Sequence, residues 1–184
     1  MVPWDIDFCF GTVGLTGGNP ASDTPTASLF SNTSNYDSGA PGDPVATQFR
    51  NNPEIQRAYW RAYQDAVNGP MDGDGSAVNA RIDLIVSALQ GEGLTPYSPA
   101  GVKSYLSQRR AFILSQLATV NAAFAITSNS GNDFTTNRSP ILLTGTAPVA
   151  VRTVRVNGAE YPITWTGVTT WSMLVPLVAG TNAL

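Results

Sequence analysis

The sequence predicts an α+β fold, in which three helices precede a run of antiparallel strands. Apolar residues recur at helical spacing over residues 48–124, whereas β-branched and aromatic residues alternate in short runs over 125–184. Hydrophobic residues make up 42% of the 184-residue chain, which is enough for a packed core. The change of period predicts three helices packed as one unit over 48–124 and a separate antiparallel β-module over 125–184.

Composition excludes several classes of function. The net charge of −3 argues against nucleic acid as a partner, because no basic stripe can follow the phosphates. The chain has no histidine, which removes Ser-His-Asp catalysis and His-ligated metals. Cys9 is the only cysteine, so an internal disulfide and a Cys-rich zinc site are excluded. No apolar run approaches the ~18–20 residues of a membrane span. What remains is carboxylate chemistry.

Start and stop signals predict where the helices lie. Asn52 as N-cap and Pro53 as the first helical residue begin the first helix, and Gly69 with Pro70 ends it. The second helix is expected over about 76–90 and the third over about 98–124. Their core faces are predicted from apolar spacing, with Ile55, Ala58, Tyr59, Ala62, Tyr63 and Ala66 in the first helix, Ile82, Ile85, Val86 and Leu89 in the second, and Val102, Tyr105, Leu106, Arg109, Ile113, Leu117, Val120 and Phe124 in the third.

The remaining segments are predicted to be loops and strands. Residues 12–46 hold many Gly, Pro, Ser and Asn residues and form a long loop, and residues 71–75 form a surface turn. Asn157 and Gly158 are typical of a two-residue hairpin turn. The predicted strands cover 124–127, 141–144, 149–156, 161–164 and 171–177.

Two carboxylates near the start of the chain are the candidate site. Asp5 and Asp7 lie two residues apart in an apolar run that includes Trp4 and Phe8. In a strand, side chains at i and i+2 point the same way, so the two carboxylates converge. Their mutual repulsion favours a bound cation, and oxygen ligands suit Mg²⁺ or Mn²⁺. The spacing also fits an Asp pair that caps a turn, so the residues alone leave both interpretations open.

The segment Val2–Gly11 resembles the PWDxDxxFG segment of the CotH-type (spore coat protein H) family of atypical protein kinases. The resemblance covers roughly residues 1–125. Further segments that match the helical C-terminal part of that family, in order and spacing, are Asp43-Pro44, 53–59, Ile82-Asp83 and 102–112.

The resemblance implies a function for the carboxylates. A protein of this family would transfer the γ-phosphoryl group of ATP to Ser or Thr of a protein substrate, with Mg²⁺ or Mn²⁺ as the metal. Asp7 would be the metal ligand, in the role of the kinase DFG aspartate, and Asp5 would be a second ligand or would orient the first. The resemblance thus implies that Asp5 and Asp7 are both metal-binding and catalytic residues.

The last sixty residues resemble the immunoglobulin-like β-sandwich modules found after such kinase domains, through Thr144–Val149, Val156–Gly158 and Trp171–Asn182. Five predicted strands are fewer than the ~7 of a complete sandwich. The resemblance therefore implies a truncated kinase-like domain over 1–124, with the metal-site strand at 1–11, followed by a partial sandwich over 125–184, both cut from a longer protein. Many Asn, Thr, Ser and Gly residues with a single lysine are typical of a secreted or cell-surface bacterial protein.

Two other functions remain open. One is a non-catalytic surface or adhesion protein with a degenerate kinase-like part. The other is a carbohydrate-binding protein with Trp165 and Trp171 as stacking platforms, although strand-like alternation favours a core position for both rings. We expect no kinase activity from this chain alone, because its only lysine, Lys103, lies on a predicted helix. Arg57 or Arg109, folding back toward the carboxylates, would be the substitutes as a nucleotide clamp.

Overall fold

The computed structural model describes residues 24–26, 28–29, 48 and 51–183, without the side chains of 74–76. These residues form three helices and six short strands, all of whose pairings are antiparallel, so the predicted mixture of helix and antiparallel sheet is confirmed. Two compact units are present. Among the described residues, the helical unit comprises 24–26, 28–29 and 62–116, and the β unit comprises 48, 51–61 and 117–183.

Helix α1, Pro53–Asn68, begins at the predicted cap. The Asn52 side-chain oxygen accepts hydrogen bonds from the backbone N–H groups of Glu54 (2.9 Å) and Ile55 (3.3 Å). These groups have no partner within a helix, and the cap supplies one. The first part of α1, up to residue 61, belongs to the β unit, and the rest belongs to the helical unit.

The buried face of α1 is not the predicted one. Tyr59 is 53% exposed, whereas Arg57, Trp60 and Val67 are buried at 0%, 8% and 1% exposure. The prediction followed alanines and tyrosines, but burial follows Trp60 and Val67 together with a charged residue. These three residues keep helical spacing along another face of the same helix.

Helix α2, Asp72–Gly91, starts four residues before its predicted start. The expected surface turn at 71–75 instead contains the first turn of this helix. The Asp72 carboxylate accepts the N–H of the next residue, Gly73, at 2.7 Å, but no side chain caps the helix at Met71. The predicted core face of α2 is less buried than expected. No residue of α2 with a described side chain is buried, and Ile85 and Leu89 are 49% and 37% exposed.

Helix α3, Ala100–Ala118, ends before the predicted residue 124. The N–H of Val120 bonds the Leu117 carbonyl at 3.2 Å, a tightened last turn that closes the helix. Leu106 and Ile113, both predicted for its core face, are buried. No helix among the described residues is both long and apolar enough to cross a membrane.

The β unit contains six strands: β1 Ala125–Ile126, β2 Ile141–Thr146, β3 Arg155–Val156, β4 Ala159–Glu160, β5 Ile163–Trp165 and β6 Thr170–Val175. Four of them form a sheet in the order β1-β2-β6-β5, and β3 pairs with β4. Alternate residues of β2 and β6 face one side of the sheet and are buried there. The core on that side consists of Ile141, Leu143, Ala147, Val154, Trp165, Trp171, Met173 and Val175.

The β3–β4 hairpin has the predicted two-residue turn. Asn157 and Gly158 both have positive φ, at 51° and 82°, which matches the right-handed twist of the flanking strands. The Asn157 side-chain amide also donates to the Ala183 carbonyl at 2.8 Å. By contrast, most of the strand predicted over 149–156 is absent, since only Arg155 and Val156 are in a strand.

Candidate functional site

The predicted metal ligands Asp5 and Asp7 lie outside the residues that the structure describes, so their pairing stays a prediction. Within 51–183 and the short pieces at 24–29, no three Asp, Glu, Cys or His residues come together in a group that could hold a metal ion. The donor chemistry of Asp5 and Asp7, two carboxylates without nitrogen or sulfur ligands, fits a hard divalent cation.

The loop that follows the aspartate segment has two described contacts with the helices of its own unit. The Tyr63 hydroxyl of α1 donates to the Leu29 carbonyl at 3.0 Å. The Arg109 guanidinium of α3 donates to the Pro25 carbonyl at 3.1 Å. Both acceptors are backbone groups four residues apart, so this part of the predicted loop over 12–46 is held by side chains rather than by a sheet ladder.

The lysine and a neighbouring arginine of α3 pair with carboxylates of α2. Lys103 forms a salt bridge with Asp83, and Arg110 lies 3.6 Å from Asp72. Lys103 lies on a helix, as predicted, where its side chain is 27% exposed and its charge has a partner. Ion pairs that are this exposed contribute little to stability. Each carboxylate nevertheless neutralises the positive charge of its partner, which a nucleotide phosphate would otherwise attract.

Arg57 is not available as a nucleotide clamp. Its side chain is fully buried in the β unit, where the guanidinium donates to the carbonyls of Val168, Pro148, Val149 and Val151. The expectation that this arginine could turn toward the carboxylates is therefore wrong. Both terminal nitrogens already have acceptors. If the Arg57 side chain moved away, buried carbonyl groups would lose their hydrogen-bond donor.

Burial changes the acidity of Arg57 without removing its charge at neutral pH. Desolvation, and then the neighbouring Arg61 charge, lowers the pKa of Arg57 from 12.5 to about 10. The guanidinium lies over the Trp165 ring, with 3.2 Å between its central carbon and the ring centroid. The negative face of the ring supplies part of the stabilisation that water provides in the unfolded chain.

Sequence reasoning missed the role of Arg57, because helical spacing pointed to ordinary ion pairs. Glu54 lies three residues before Arg57, and Asp65 lies four residues after Arg61, so each arginine has a carboxylate at helical spacing. The acceptors that Arg57 uses instead lie more than ninety positions further along the chain, beyond the reach of any local pattern.

The two tryptophans considered as sugar platforms are core residues, as the alternation predicted. Trp165 and Trp171 are 9% and 2% exposed. The Trp171 indole N–H donates to the Thr146 carbonyl at 3.0 Å, and its ring stacks on Phe124 with centroids 6.0 Å apart. Neither ring offers the open face that sugar stacking needs.

No family model, curated protein or solved structure matches this chain.

Proposed function

We propose that this chain carries the metal-binding segment and the helical part of a CotH-type protein kinase, secreted or held at a bacterial cell surface. The observation that carries the proposal is the segment Val2–Gly11, in which Asp5 and Asp7 lie two residues apart in an apolar run. The three helices that follow in the chain agree with the helical part that the resemblance implies.

The proposed chemistry needs charge neutralisation and positioning more than a covalent nucleophile. Mg²⁺ or Mn²⁺, when bound, neutralises charge on the ATP phosphates. Asp7 holds the metal through a carboxylate oxygen, and Asp5 provides a second oxygen or orients the first. The acceptor is a Ser or Thr hydroxyl of a protein substrate.

The antiparallel unit is proposed to be part of an immunoglobulin-like module. Its support is the four-stranded antiparallel sheet β1-β2-β6-β5 with one buried face. An apolar core on one side of such a sheet is what one layer of a sandwich requires.

A metal titration tests the proposed site. We expect the full chain to bind one Mn²⁺, followed by electron paramagnetic resonance, and Asp5→Asn or Asp7→Asn to weaken binding at least about tenfold. Loss of groups that merely orient metal ligands already costs 10–100-fold.

The matched control is the double variant Asp72→Asn/Asp74→Asn, which removes two carboxylates at the same spacing from α2. We expect it to bind Mn²⁺ as the natural chain does. Absence of Mn²⁺ binding, or equal weakening in the control, would contradict the metal site and favour a non-catalytic surface protein.

Kinase activity of the chain itself is the second test. We expect no transfer from labelled ATP to a Ser/Thr-rich acceptor with Mg²⁺ or Mn²⁺. Three cations that could clamp the nucleotide have partners among the described residues: Lys103 pairs with Asp83, Arg110 with Asp72, and Arg57 is enclosed by carbonyls. Removing such a clamp typically costs orders of magnitude in rate. Transfer that disappears in Asp7→Ala would refute this expectation.

A further inference from the structure

The surroundings of Arg57 are unusual because all of its described partners are neutral. Among residues 51–183, Arg57 takes part in no ion pair within 4.0 Å, and its hydrogen-bond acceptors are four backbone carbonyls. An isolated buried charge is costly, so the acceptors must replace its hydration. Carbonyl dipoles at the two terminal nitrogens and an aromatic face do so without a carboxylate, while the buried Nε has no hydrogen-bond acceptor among the described residues.

We propose that the β unit contains a binding site for a guanidinium group, and that Arg57 of helix α1 is its resident ligand. This inference does not depend on the proposed kinase function. The site comprises the carbonyls of Pro148, Val149 and Val151, the carbonyl of Val168, and the face of Trp165.

The geometry of the site matches a planar fork. One terminal nitrogen of Arg57 donates to Val168, while the other donates to Pro148 at 3.0 Å, Val149 at 3.3 Å and Val151 at 2.5 Å. The plane between them rests on Trp165. An ammonium group has three donors around one point, so it cannot span both sides of the site and stack at the same time.

The two loops that carry the carbonyls have hydrogen bonds of their own. In the first loop, the Val151 N–H donates to the Pro148 carbonyl at 3.1 Å, and the Ala147 N–H donates to Thr169 at 2.9 Å. In the second, the N–H groups of Thr166 and Gly167 both donate to the Thr170 carbonyl, at 3.0 and 3.3 Å. These bonds do not involve Arg57, so much of the site is formed by residues 147–170 without the helix.

The partner that this site fits is a helix with arginines at i and i+4. Arg61, one turn after Arg57, donates to the Val149 carbonyl at 3.3 Å. The part of α1 up to residue 61 accordingly groups with the β unit. In this chain the site is occupied by a side chain of the same protein, and residues 53–61 are the bound segment.

Chemical rescue of the full-length Arg57→Ala variant tests the proposal. The probe is N-ethylguanidinium chloride, compared with ethylammonium chloride at equal ionic strength, and the readout is the thermal unfolding midpoint. We expect N-ethylguanidinium to raise the midpoint of Arg57→Ala. At ten times its Kd, it would raise the ratio of folded to unfolded protein about 11-fold. Ethylammonium should leave the midpoint unchanged.

Two proteins serve as controls. The natural chain and Arg138→Ala, a variant at an exposed position of the β unit outside the site, both keep Arg57 and Arg61 in place, so neither should be stabilised by N-ethylguanidinium. Equal effects of the two ions on Arg57→Ala, or equal stabilisation of all three proteins, would overturn the proposal.

A measurement on the natural chain covers the case in which Arg57→Ala does not fold. Nuclear magnetic resonance should show one arginine whose terminal N–H protons exchange slowly near neutral pH, because hydrogen bonds restrict both nitrogens. The signal should be absent in Arg57→Lys and retained in Arg61→Lys. Absence of any such signal in the natural chain would overturn the proposal.

Discussion

Gly145 on β2 is the position where a single added carbon should damage the β unit most. Gly145 pairs with Trp171 on β6, and the indole ring lies directly over it. A Cβ atom at this position would come closer than 3.0 Å to the Trp171 ring and to the Ala125 carbonyl oxygen. Neither obstacle is the end of a flexible side chain, so the Gly145→Ala variant must move a buried ring or separate two strands.

The expected cost follows from how firmly Trp171 is held. Overpacking a core typically costs 1–3 kcal/mol. Trp171 is 2% exposed, bonded to Thr146 and stacked on Phe124, so we expect the upper end, about 3 kcal/mol. In a unit of 60–100 residues, each kcal/mol lowers the unfolding midpoint by roughly 4–8 °C, which gives about 12–24 °C.

Tryptophan fluorescence during thermal and urea unfolding would measure this loss. The matched control is Gly91→Ala at the end of α2, where an added Cβ meets nothing within 4 Å. Since alanine is the better helix former by roughly 1 kcal/mol, the control should unfold at the same or a slightly higher temperature. A Gly145→Ala variant within about 1 kcal/mol of the natural chain would refute the reasoning, because the overpacking range starts there.

Three smaller effects are expected elsewhere. Asn52→Ala removes the acceptor for two N–H groups of α1 and should lower the free energy of unfolding by about 1 kcal/mol in urea, whereas no change would refute the cap. Gly158→Ala has open space but a φ of +82°, so conformational strain alone should cost about 1–2 kcal/mol, and a neutral midpoint would contradict it. Lys103→Met breaks a partly exposed pair with Asp83 and should change stability by less than about 1 kcal/mol, so a larger loss in calorimetry would show that the pair is more than a surface contact.

Local signals in the sequence predicted local structure well. The Asn52 cap acts over three residues, and the Asn157–Gly158 turn acts over four, so no distant contact is needed to decide either. The alternation of apolar and polar residues along β2 and β6 likewise predicted which residues face the core, including Trp171. Only one face of these strands is buried, so the two-residue period can be read from the sequence.

The failed predictions depend on contacts between distant residues. The strand expected over 149–156 does not form up to residue 154, where the carbonyls of Pro148, Val149 and Val151 accept from Arg57 instead of a neighbouring strand. The same arginine lies on the buried face of α1, which differs from the predicted face. These contacts join residues about ninety positions apart, and neither periodicity nor propensity records them.

The candidate metal site lies outside the described residues, so its prediction rests on the sequence alone. Spacing alone left Asp5 and Asp7 open between a metal pair and a capped turn, and the resemblance to a kinase segment favoured the metal. The described residues show where two positively charged side chains lie. They place Arg57 among carbonyls and Lys103 beside Asp83, which narrows the set of groups that could hold a nucleotide.

The position of Arg57 bears on how this β unit could be exchanged between proteins. A recombination point between residues 124 and 125 looks natural because it separates helices from strands. It would nevertheless transfer the acceptor carbonyls and Trp165 without the arginine that occupies them. The transplanted strands would then leave the carbonyls of Val149, Val151 and Val168 without their arginine donor, while the Pro148 carbonyl would keep its bond from the Val151 N–H. An evolutionary exchange that keeps the unit stable must therefore carry residues 53–61 or supply an arginine from the new host.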